Sequence, residues 1–106
     1  MSKILYCTAQ FTPQAGKLDE LFGVLKSLEP DTLREDGCLG YRVTRRIQSP
    51  FADGDSMPVV FHESWASVEA FETHCQRAEI AEFFRRECLD EGGLVESYNV
   101  TAYSDE

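Results

Sequence analysis

The chain has 106 residues, of which 42% are apolar and 27% charged, with a formal net charge of −9 at neutral pH. Those figures fit one globular domain, expected to span residues 1–106 around a single core. They exclude a nucleic-acid binder, which needs clustered Lys and Arg: the pairs Arg45-Arg46 and Arg85-Arg86 are too short to make a basic patch.

No apolar run approaches the ~18–20 residues that cross a bilayer, so no membrane partner is expected. The opening segment, MSKILYCTAQ, lacks the apolar core of a signal peptide. Asn99-Val100-Thr101 fits a glycosylation sequon, which means little without a secretory route. Cys7, Cys38, Cys75 and Cys88 form no CxxC pair, and no His stands at zinc-finger spacing. Each cysteine sits in an apolar pattern, where a thiol acts as a small hydrophobe. The expectation is reduced thiols, a cytoplasmic location and no metal.

In chain order, Lys3 to Phe11 alternates as a strand, with Tyr6, Thr8 and Gln10 on one face and Cys7, Ala9 and Phe11 on the other. After Pro13 and Gly16, Leu18, Leu21, Phe22, Leu25 and Leu28 recur at helical steps. Pro30 should interrupt that helix, Asp31 to Arg34 can resume it, and Gly37 stops it. Cys38 to Ile47 is rich in β-formers, and Gln48 to Met57, with Pro50 and Gly54, is a loop leading into strand Pro58 to Trp65.

Ser67 reads as a helix N-cap with Glu69 in the first turn, and Val68, Phe71 and Cys75 make the apolar stripe with His74 beside it. Arg77 to Leu89 continues as helix, carrying Ile80, Phe83, Phe84 and Cys88 on one face. Gly92-Gly93 ends it, and Leu94 to Tyr103 alternates as a last strand. The order β-α-β-β-α-β predicts an α+β fold: the ferredoxin-like split βαβ plan, a four-stranded antiparallel sheet with helices on one face.

That plan leaves the other sheet face bare. Tyr6, Val60, one of Tyr41 and Val43, and one of Tyr98 and Val100 would lie there, depending on register. An apolar face of that size calls for a partner, and a two-fold homodimer with facing sheets is the simplest one.

The segment Phe61 to His74 is the candidate site. Alternation puts Phe61, Glu63 and Trp65 on one face of the strand, and Val60, His62 and Ser64 on the other. A carboxylate between two aromatic residues is an unusual group to bury, and the following helix brings His74 to the same join. Either Glu63, its pKa raised by apolar neighbours, or His74, titrating near neutrality, could serve as a general base. Each also has a structural reading: Glu63 tied to an arginine or to backbone N–H groups, His74 bonded to carbonyls at a helix end, and Trp65 as a core plug.

The segments GKLDELFGVLKSL, REDGCLGYRV and VVFHESWASVEAFETH resemble the antibiotic biosynthesis monooxygenase family of small dimeric α+β barrels. The resemblance is most specific at Glu35 to Tyr41 and at Glu63-Ser64-Trp65 with Glu69-Ala70 and His74. It implies oxygen insertion by O2 into a small electron-rich aromatic or quinol, without flavin, haem or metal. Glu63 and His74 would be the catalytic groups, and Trp65, Phe61, Phe71 and Phe83 would line the substrate cleft.

The family also includes haem-degrading enzymes and an isomerase, so fold alone does not fix the reaction. Many relatives carry a second His where this chain has Glu79. The haem-degrading branch needs a first-strand Asn, here Ala9, and a His absent from Phe83 to Leu89. An isomerase, or a ligand-binding protein without catalysis, stands as the alternative on the same dimeric scaffold.

Overall fold

Period-two alternation builds the sheet. In the computed structural model, which describes residues 3–106, the strands are β1 (Leu5–Pro13), β2 (Cys38–Arg45), β3 (Val59–Trp65) and β4 (Val95–Ser104). They pair antiparallel in the order β2-β3-β1-β4, as the ferredoxin-like plan requires. The helices are α1 (Leu18–Ser27), α2 (Glu29–Leu33), α3 (Val68–Cys75) and α4 (Ala78–Phe83), and a π-helical segment, Phe84–Leu89, follows α4.

Pro30 acts as predicted. It lies in the first turn of α2, where its missing N–H costs nothing, and the chain re-starts there as a separate short helix. Ser67 caps α3 by accepting the Ala70 N–H at 3.0 Å. The second helical region departs from the expected single helix. It breaks between Cys75 and Ala78, where Arg77 is extended (ψ 142°), and beyond Phe83 it runs on as a wider π turn with no buried residue between Phe84 and Leu89.

Two glycines are set by close approach. Gly37 has φ +82°, and a Cβ there would stand 2.7 Å from the Ala70 Cβ. Only a glycine lets α3 close against the turn that enters β2. At Gly93 an added Cβ would meet the Glu87 carbonyl oxygen at 2.3 Å, so this residue lets β4 begin under the π-helical segment.

The core lies between the helices and the inner sheet face, which carries Leu5, Cys7, Ala9 and Phe11 from β1 and Tyr41 and Val43 from β2. From β3 it takes Val59, Phe61 and Trp65, with Leu21 and Leu25 of α1 packed against them. Register corrects the expected make-up of the bare face. Tyr41 pairs with Glu63, and Tyr98 and Val100 pair with Phe11 and Ala9, so all of them and Val43 share the helix-side face.

Of the apolar residues expected on the outer face, only Tyr6 and Val60 are there. They lie among Thr8, Gln10, Thr44, His62, Ser64 and Thr101. Phe84 of the π-helical segment packs on Tyr98, ring centroids 5.4 Å apart, yet Tyr98 and Val100 remain 42% and 40% exposed on the helix side.

A second correction concerns α3. Its buried residue is His74, only 3% exposed, whereas Val68 and Cys75 of the expected stripe are exposed. Among the described residues no helix is long and apolar enough to cross a membrane.

Candidate functional site

One cross-sheet row holds most of the polar chemistry. Tyr41 of β2, Glu63 of β3 and Cys7 of β1 are successive register partners on the inner face. Strand alternation points all three side chains inward, and α3 lowers His74 onto the same place.

Glu63 is held by its neighbours. The Trp65 indole N–H donates to Glu63 Oε1 at 3.0 Å, and the Cys7 thiol is its other hydrogen-bond donor. Burial outweighs both. It pushes the Glu63 carboxyl up to about 7, with the Glu35 charge adding to the rise and the two hydrogen bonds opposing it. Near neutral pH this carboxyl therefore holds a proton far more readily than an ordinary glutamic acid.

His74 lies between aromatic rings, with its centroid 4.6 Å from the Trp65 ring and 5.3 Å from the Tyr41 ring. Its Nδ1 is 2.9 Å from Glu35 Oε2, the oxygen that also accepts from the Arg77 guanidinium. Burial lowers the His74 pKa, partly offset by Glu35, while Arg77 pushes the same way as burial. Tyr41 stacks on Phe61 at 4.2 Å, and burial keeps its phenol protonated far above neutrality.

These groups face a cavity of about 50 Å³, whose remaining wall is largely apolar and includes Phe61, Phe71, Phe83 and Phe84. Glu63 and His74 both line it, as does Cys7. The exposed members of the lining, Cys75 and Val100, mark its mouth. No Lys or Arg side chain lines it.

The placement of the expected site residues is therefore specific. Glu63, His74, Phe61, Phe71 and Phe83 come together around this cavity. Trp65 does not line it: the indole is fully buried behind the wall, where it supports Glu63 and His74. Cys75, read as a core residue, stands at the mouth, with burial and nearby carboxylates raising its thiol to about 11. His62 points away, as alternation required, and its Nε2 lies 3.1 Å from the Thr44 hydroxyl.

Glu35 and Arg77 were missed as site residues. Both sit in turns, where no periodicity marks them, and only the Glu35-to-Tyr41 motif drew attention to one of them. Among the described residues no three His, Cys, Asp or Glu side chains gather as a metal-binding set.

Comparison with known proteins places this geometry. A crystal structure of a Shewanella oneidensis protein has 32% sequence identity and a TM-score of 0.77, covering 98% of this chain and 92% of the other. A candidate antibiotic biosynthesis monooxygenase of Deinococcus radiodurans has 20% identity and a TM-score of 0.69, over 94% of this chain and 89% of its own. A dabb family protein of Mesorhizobium loti with a ferredoxin-like fold has 19% identity and a TM-score of 0.70, over 96% of each chain. A comparison with functionally curated proteins gave no match. The sequence profile of the antibiotic biosynthesis monooxygenase family matches residues 4–86, most of the chain, and with the sheet order and pairing above it establishes that this chain belongs to that family.

Proposed function

We propose that the protein is a cofactor-independent monooxygenase, using O2 to oxidise a small, neutral, electron-rich aromatic or quinol. One observation carries the reading: a buried imidazole and a carboxyl with a pKa of about 7 line one apolar, aromatic-walled cavity. With no cation on its wall, the cavity disfavours anionic substrates, whose desolvation would be uncompensated.

The His74 Nε2 makes no hydrogen bond among the described residues, and none of their buried side-chain polar atoms is left unpartnered. Nε2 is thus the nitrogen left to the cavity and the candidate base. It takes a phenolic proton, the substrate anion passes an electron to O2, and recombination forms a C–O bond. The peroxide takes the proton back from His74.

His74 then removes the hydrogen from the oxygen-bearing carbon while Glu63 protonates the departing hydroxyl and the O–O bond breaks. One oxygen atom becomes a carbonyl and the other water. The substrate supplies the electrons, and His74 returns its proton to Glu63. At about 50 Å³ the cavity is smaller than the ~150 Å³ that accepts benzene, so a ring enters by displacing part of the wall. The π-helical segment, with Phe84 at the cavity, is the part least held by burial.

Metal-stripped protein should consume O2 with a hydroquinone or anthrone, and His74→Ala should lower kcat by roughly 100-fold or more. No O2 uptake across a panel of such substrates would overturn the reading. A second reading draws on the same pair: a base and a neutral acid on one cavity can also move a double bond by proton transfer. Turnover of a keto–enol substrate at full rate without oxygen would favour that isomerase.

The chain acts in this reading as a homodimer, with the outer sheet faces together and each protomer keeping its own cavity. Exposed Tyr6 and Tyr103 on that face and the open edge of β4 support it. Light scattering should give about twice 12.0 kDa at micromolar concentration. Val60→Asp, a charge at a 7% exposed outer-face position, should break dimer and fold together. A stable, folded monomer of the native chain would overturn the assembly. The four free cysteines fit a reducing, cytoplasmic setting.

A further inference from the structure

We infer that Glu35 is a positioning residue, which fixes the proton of His74 on Nδ1 so that Nε2 presents its lone pair to the cavity. This rests on the reading of His74 as base. A carboxylate accepts hydrogen bonds and cannot donate them. Glu35 Oε2, already paired with the Arg77 guanidinium, therefore accepts a hydrogen bond from the imidazole Nδ1–H at 2.9 Å. The contact is 88% shielded on the Glu35 side and 96% on the His74 side, so solvent screens it little.

Glu35 reaches His74 because Gly37, with its positive φ and its closeness to Ala70, lets the turn after α2 lie against α3. The Gly37 carbonyl accepting the Ala66 N–H at 2.7 Å holds the two together. Arg77, in the turn between α3 and α4, sets how much of the Glu35 charge His74 feels.

The other titratable groups on the cavity are Glu63 of β3, Tyr41 of β2, Cys7 of β1 and Cys75 of α3. Helices α1 and α4 and the π-helical segment bring only apolar side chains to it. Glu35 and Arg77 are thus the pair that tunes the imidazole from outside the cavity, in opposite directions.

The test is nitrogen-15 NMR of the His74 ring in ligand-free native protein, Glu35→Gln and Arg77→Gln, with pH–rate profiles. The native ring should be the Nδ1–H tautomer. Glu35→Gln should titrate at lower pH than native and Arg77→Gln at higher pH, and the acidic limb of kcat should follow each. Glu35→Gln should lower kcat roughly 10-fold while KM changes less than about twofold. Glu35→Asp should recover part of the loss.

A merely structural Glu35 would shift neither titration nor limb while lowering stability, and that result overturns the inference, as does an Nε2–H tautomer in the native protein. The NMR arm needs no substrate. The expected tautomer and opposed shifts, found without oxygenation of any aromatic, would sink the function and leave the role of Glu35 standing.

Discussion

Trp65→Ala should destabilise the fold by about 3–5 kcal/mol, a large share of the ~5–15 kcal/mol that holds a small domain together. The indole has no exposed surface, and its ring meets His74, Tyr41 and Phe71. Removing it opens a void and also strips Glu63 of its N–H donor. Trp65→Phe separates the two effects. The smaller ring fills most of the space but donates nothing, so it should cost less and raise the Glu63 pKa further, since that hydrogen bond holds it down. Denaturant unfolding with carbon-13 titration of Glu63 would measure both. A Trp65→Ala protein within about 1 kcal/mol of native, little more than a surface substitution costs, would show that the indole supports nothing.

What the sequence made legible was local. Alternation in β1 and β3 assigned inner and outer faces correctly, including Glu63 inward and His62 outward. Pro30 and Ser67 marked helix starts because capping and ring chemistry act within one turn. The site was half legible for the same reason: Glu63 and Trp65 are two residues apart on one strand face.

The partners of His74 were not legible. Glu35 lies 39 residues before it, and Arg77 binds Glu35 across 42 residues, so only the closed fold brings the three together. Register also escaped, because alternation within β2 and β4 does not say which face is which. Tyr41 against Glu63 and Val100 against Ala9 are decided by pairing between strands. The burial of His74 over Cys75 follows from that pairing as well, since the imidazole has Glu35 to bond and rings on both sides.

Glu63→Gln should make the protein more stable and less active, and the gain should depend on pH in a way that identifies the carboxyl. In the folded chain this group holds its proton up to about 7, against 4.5 as the ordinary value. Below about 4.5 it is neutral both folded and unfolded, and the favourable neutral burial is fully present. As pH rises toward 7 the unfolded chain releases the proton first, so folding must take one up and stability falls. Above 7 the penalty is complete, at about 3 kcal/mol.

Glutamine escapes that penalty. Its carbonyl still accepts from Trp65, so the difference between variant and native should open from about pH 4.5 to 7 and stay level beyond. His74 has the opposite slope. Its lowered pKa means that its neutral burial is secure above the ordinary value of 6.5 and is lost as pH falls through the folded pKa. Because both proteins keep His74, comparing them isolates Glu63. Over the same range kcat should fall roughly 100-fold, because glutamine cannot protonate the departing hydroxyl. Chemical unfolding at pH 4, 6 and 8 measures the first effect and O2 uptake the second. An equal stability difference at all three pH values would mean that Glu63 titrates as an ordinary carboxyl and cannot be the neutral acid of this site.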